Sequence, residues 1–81
     1  MERVEFLEMC QKVAIVKNSS CSDKQQELEK LKVVANECEY YPFAYELKFD
    51  KNGNAIHTAV LHDLRANSVT YCPLEGVKKV E

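Results

Sequence analysis

Tyr41-Pro42-Phe43-Ala44-Tyr45-Glu46-Leu47-Lys48-Phe49-Asp50-Lys51-Asn52-Gly53-Asn54 is the stretch on which the reading of this chain turns. Tyr41, Phe43, Tyr45, Leu47 and Phe49 occupy alternate positions, which is the pattern of a strand with one apolar face. Asn52-Gly53 is the preferred pair for a two-residue type I′ turn, whose central residues both need positive φ. That turn predicts a hairpin in which Phe49 faces Ile56, Leu47 faces Thr58, Tyr45 faces Val60 and Phe43 faces His62. The apolar face then continues through Ile56, Thr58, Val60, His62 and Leu64. A register shifted by one residue would set Ala55, His57, Ala59 and Leu61 against the aromatics. The two-residue turn and the larger apolar set favour the first register. Pro42 has no N–H to give to a ladder, so the start of the long strand is expected at an edge or at a bulge.

Outward from the hairpin, Val33-Val34-Ala35 reads as a short first strand. Asn36-Glu37 is the turn that leads into the long strand, from about Cys38 to Phe49. The second hairpin strand spans about 55–64. Arg65-Ala66-Asn67-Ser68 is a turn, and Val69-Thr70-Tyr71-Cys72 a third strand, with Val69 and Tyr71 on the aromatic face and Pro73 ending it. Val77 to Glu81 is a short edge strand or a loose tail. On the N-terminal side, residues 2–17 read as an amphipathic helix. Phe6, Met9, Val13 and Val16 recur at helical spacing, and Leu7, Cys10 and Ala14 widen the stripe. Glu2 and Glu5 suit the positive end of its dipole, and Lys17 the negative end. Ser22-Asp23-Lys24-Gln25 resembles a capping box for a short polar helix over about 23–32. The expected fold is therefore α+β: an N-terminal amphipathic helix and a short second helix packed on a three- to four-stranded antiparallel β-meander. The 81 residues form one domain, 1–81, with the sheet over about 33–80.

Composition bounds the function. Apolar residues make up 46% and charged residues 30%, and the net charge is -2 with both signs mixed along the chain. No basic block offers itself to a phosphate backbone, so nucleic acid is not an expected partner. The start Met1-Glu2-Arg3-Val4-Glu5 is too acidic for a signal peptide. No run nears the ~20 apolar residues of a membrane span. A cytoplasmic protein with reduced thiols follows as the expectation. Cys10, Cys21, Cys38 and Cys72 are spaced 11, 17 and 34 apart, with no C-x-x-C pair among them.

Few residues could carry chemistry. His57 and His62 are five apart and face opposite sides of a regular strand, so they do not share a metal. His57, Asp63 and Cys72 fall on one face, where they are weak candidates for a metal site that Cys10, Cys21 or Cys38 would complete. No histidine falls opposite a cysteine to activate it, and no catalytic set converges. No motif implies a cofactor, and no small-molecule substrate is identifiable. The face opposite the aromatics shows Ala55, His57, Ala59, Leu61, Asp63, Thr70, Cys72 and Leu74 and is half apolar. With Arg65 and Asn67 at its end, it is a candidate interaction surface (Ala55, His57, Ala59, Leu61, Asp63, Arg65 and Asn67) for a protein partner or for self-association. The leading expectation is a non-catalytic interaction or accessory module. A metal- or thiol-dependent small protein, and a single-stranded nucleic-acid binder that uses the aromatics as a stacking platform, are the alternatives.

Tyr45-Glu46-Leu47-Lys48-Phe49-Asp50-Lys51-Asn52-Gly53-Asn54-Ala55-Ile56-His57-Thr58-Ala59-Val60-Leu61-His62-Asp63-Leu64, with Ala66-Asn67-Ser68-Val69, resembles small proteins of Gram-positive gut bacteria that are often carried on mobile elements. The resemblance covers the C-terminal half of the chain. It implies a bacterial, cytoplasmic, accessory protein and carries no activity over.

Overall fold

The computed structural model describes residues 1–20, 22–63 and 66–80. Two helices, α1 (Arg3–Lys17) and α2 (Lys24–Glu29), precede five strands: β1 (Val33–Ala35), β2 (Cys38–Phe49), β3 (Ala55–Asp63), β4 (Ser68–Pro73) and β5 (Lys78–Lys79). A single 3₁₀ turn over Leu74–Gly76 joins the last two. All pairings are antiparallel, in the order β4-β3-β2-β1-β5. The α+β class and the meander through β1, β2, β3 and β4 agree with the sequence. The fifth strand exceeds the expected three or four. It is two residues long and exists because Lys78 and Lys79 find Val34 and Val33, a tertiary pairing that no local pattern announces.

β4 and β5 occupy opposite edges, yet only the steps from Pro73 to Lys78 connect them. Five residues reach at most about 18 Å, whereas four strand spacings of a flat sheet span about 19 Å before any offset along the strands. The sheet must therefore coil. Inside the coil lie Val33, Ala35, Ala59, Leu61, Cys72, Leu74 and Val77, closed by Phe6 and Met9 of α1. Phe6, Val33, Ala59, Leu61 and Val77 have no exposed surface.

The hairpin register is the shifted one, which corrects the preferred reading. Tyr45 faces Ala59, Leu47 faces His57 and Phe49 faces Ala55. The cause is the loop. The Asn52 and Asn54 N–H groups both donate to Asp50 Oδ1, at 2.8 and 2.9 Å. Gly53 N–H donates to the Asp50 carbonyl, and Asp50 N–H to the Asn54 carbonyl. Gly53 alone takes positive φ, +81°. This is a three-residue loop, a type I turn with a left-handed third residue, and not the two-residue turn that Asn52-Gly53 favours. One more loop residue moves every pair by one.

The irregularity expected at Pro42 is present: the register slips between Pro42 and Ala44, leaving Phe43 as the extra residue. A bulge changes the parity of everything after it. Tyr40, Pro42, Tyr45, Leu47 and Phe49 consequently share the face that meets α1, and Tyr41 faces the other way. The aromatic stripe is thus split. The face on which Ala59, Leu61 and Cys72 lie, expected to be open, is the core.

α1 is a helix where one was expected, but its apolar residues form two opposite stripes rather than one. Phe6, Met9 and Val13 are buried. Leu7 and Ala14 do not widen that stripe; they are exposed, with Val4 and Ile15. α2 is shorter than the expected 23–32. Asp23, not Ser22, stands at its N-cap without a side-chain cap bond, and the Gln25 amide donates to Glu29 instead. β1 and β2 are joined by the expected turn at Asn36 and Glu37; both take positive φ, as a two-residue type I′ turn requires.

Candidate functional site

The β2–β3 hairpin has a rooted half and a free half. At the root, Tyr41, Pro42, Val60 and Leu61 are buried. Lys32 lies over the Tyr41 ring, 5.8 Å from its centre. The Tyr41 hydroxyl is buried without a hydrogen bond of full geometry. Burial holds its pKa above the ordinary phenol value, helped by nearby Glu29 and opposed by Lys32 and by the Gln25 amide close by. Its cross-strand neighbour is His62, half-buried, whose Nδ1 also has no partner among the described residues.

The free half differs. Leu47, Phe49 and Ile56 are 47%, 66% and 42% exposed, and Ala55 and His57 are open too. Leu47 and Phe49 sit on one face and Ile56 on the other, so the end of the hairpin shows apolar surface on both sides. On the Ile56 face Tyr71 of β4, opposite Val60, is also exposed, and Val69 and the bulged Phe43 are exposed toward the root. Lys48 bonds Glu46 at 3.4 Å and covers the Tyr71 ring at 4.9 Å. The molecule is accordingly long, 48 × 23 × 23 Å.

Two groups add polarity. The Tyr45 hydroxyl makes a short hydrogen bond with His57 Nδ1, their rings stacked with centres 5.9 Å apart. His57 lies opposite Leu47, not Lys48 as the two-residue turn would have it. It also lines a half-open groove of about 530 Å³ between the start of α1 and the 3₁₀ turn, with Met1, Arg3, Ile56 and Leu74.

The residues singled out from the sequence are dispersed. Cys72 is buried opposite Ala59, where removal from water pushes its thiol pKa up. Asp63 and His57 share β3 but lie six positions apart, about 20 Å along a strand, too far to hold one ion. Cys10 is half-buried, and burial pushes its thiol up to about 11. Cys38 is exposed, and Cys21 lies outside the described residues. Among the described residues no three His, Cys, Asp or Glu side chains converge for a metal. Of the candidate interaction surface, Ala55, His57 and Asn67 are exposed, Asp63 is half-buried, and Ala59 and Leu61 are wholly buried beneath α1. Arg65 lies outside the described residues. The exposed Leu47, Phe49 and Ile56 were missed because the two-residue turn put them in the core.

No known protein family, curated protein or solved structure matches the chain. No helix among the described residues is long and apolar enough to cross a membrane.

Proposed function

We propose that the protein is a non-catalytic binding module that offers the free half of its β2–β3 hairpin to a protein partner. The observation that supports this is the exposure of Leu47, Phe49 and Ile56 on both faces of one hairpin end. Large apolar side chains gathered on both faces of one exposed hairpin end mark a candidate contact surface. An extended edge framed by apolar side chains is a recurrent means of docking an apolar segment. The bacterial accessory role implied by the resemblance is compatible with it.

A photo-crosslinking phenylalanine analogue in place of Phe49, introduced in the cells that make the chain, tests the proposal. The same analogue in place of Lys30, exposed at the C-terminal end of α2, is the control. A defined adduct is expected at 49 alone, and Leu47→Glu should abolish it. Identical adducts at both positions, or none at 49, would sink the reading.

A further inference from the structure

α1 carries a second apolar stripe that nothing among the described residues covers. Successive residues of a helix turn by about 100°, which places Val4, Leu7, Gln11, Ala14 and Ile15 diametrically opposite the buried Phe6, Met9 and Val13. Val4, Leu7 and Ile15 are 59%, 38% and 68% exposed, and Gln11 and Ala14 are exposed as well. A helix with two opposite apolar faces normally has a neighbour on each; α1 meets the sheet and touches α2, yet its outer face stays exposed. The outer stripe also has seam spacing: positions 4, 7, 11 and 14 repeat three and four apart, as the contact residues of paired helices do.

We propose that the occupant is a second copy of this chain, with the two α1 helices packed antiparallel about a two-fold axis at Gln11. Charge and symmetry select this partner. About that axis residue n meets residue 22 − n, so Leu7 lies against Ile15 of the other copy, twice over, Ala14 lies against the stem of Glu8, Val4 reaches the helix end at Asn18, and Gln11 meets its own counterpart. A carboxamide both donates and accepts, so two glutamines satisfy each other across a two-fold axis. The axis also brings like flanks together. Glu8 and Lys12 lie on one flank, one turn apart, and neither has an ion-pair partner among the described residues. In the pair, Glu8 of each copy comes to within two residue levels of Lys12 of the other, about 3 Å along the axis. Two reciprocal ion pairs result. The stripe lies on the far side of α1 from the sheet, so both hairpin ends remain free. The dimer would then present two binding arms, and avidity would follow from linkage alone. The pairing itself stands independently of what the hairpin binds.

The contact of two short helices is small, below the ~1,200 Å² of a stable interface, so a weak, concentration-dependent dimer is expected. Sedimentation velocity of the full chain over a wide concentration series gives the answer. Wild type should pass from monomer to dimer. Ile15→Glu, at an exposed position, should weaken the dimer at least about tenfold while leaving Tm unchanged, because a carboxylate is placed against Leu7 of the partner. Glu8→Lys and Lys12→Glu should each weaken it a few-fold, and an equimolar mixture of these two variants should pair again, since each supplies the charge the other needs. A monomer at every concentration would overturn the proposal, as would a dimer indifferent to Ile15→Glu. A dimer lost on Phe49→Ser but not on Ile15→Glu would also overturn it, while leaving the hairpin as a contact surface.

Discussion

The two halves of the β2–β3 hairpin are continuous in backbone and opposite in circumstance. In the half nearer Pro42, Tyr41, Val60 and Leu61 are enclosed by helix, strand and neighbouring loop. In the half nearer Gly53, strand pairing continues but the only cover among the described residues is the half-open groove beside Met1 and Arg3, and Leu47, Phe49 and Ile56 face water. The ladder hydrogen bonds are the same in kind throughout. What distinguishes the halves is side-chain burial, and with it the contribution of each residue to stability. A residue can therefore be conspicuous in sequence, as Phe49 is, and contribute little to holding the fold.

That contrast can be broken or sharpened by substitution. The largest effect is expected at the root's cover. Phe6→Ala removes a wholly buried ring from beneath the coil and should cost about 3–5 kcal/mol, much of the stability of a small domain, as read by urea unfolding. At the loop, Gly53→Ala should cost about 1 kcal/mol. No atom lies within 4 Å of the added methyl, so the loss is conformational, and a crystal structure of the variant should show an unshifted surround. Tyr41→Phe should be neutral or stabilising by up to about 1 kcal/mol, the reverse of the usual result for a buried tyrosine, because the hydroxyl it removes is enclosed with only the poorly placed Gln25 amide beside it. A loss greater than 1 kcal/mol would show that the hydroxyl is bonded in solution. Phe49→Ser should change stability by less than about 0.5 kcal/mol; a larger loss would mean that the free half is covered in solution.

The loop also gives the contrast a pH dependence. Hydrogen bonds from Asn54 and Asn52, the Asn54 backbone N–H first among them, hold the Asp50 carboxyl below its ordinary value. A lowered folded-state pKa favours the ionised form, so its stabilisation is present above the unfolded carboxylate pKa and is lost as pH falls through the lower folded value. The amide resonances of Asn52 and Asn54 should titrate together in that acid range, while those of the rooted half should not move until the domain unfolds.

Much of the frame could be read directly from residues. Helical spacing of Phe6, Met9 and Val13 located α1. The turn at Asn36-Glu37 and the irregularity at Pro42 were both visible from backbone chemistry. The register was not, because Asn52-Gly53 satisfies a two-residue turn as readily as a three-residue one. The choice between them lies with Asp50, whose carboxylate collects two amides beyond it. The bulge at Phe43 then compounded the error by reversing parity. Ala59, Leu61 and Cys72 consequently looked like open surface when they are core, and the exposed hairpin end stayed hidden. The outer stripe of α1 was present in the sequence, but Leu7 and Ala14 were read as broadening the buried stripe. Helical spacing alone does not say how wide a face the sheet will cover.

The coil closes through its latest residues. The Met1 amino group donates to the Val77 carbonyl across 76 positions, Lys79 bonds Glu5 at 3.2 Å, and Val77 completes the core around Phe6. The fold is therefore latched end to end: a fluctuation that frees Val77 and Lys79 would uncover Phe6 and Met9 at that seam while the β2–β3 ladder stays paired, and amides of β5 should exchange with solvent before those of the rooted hairpin.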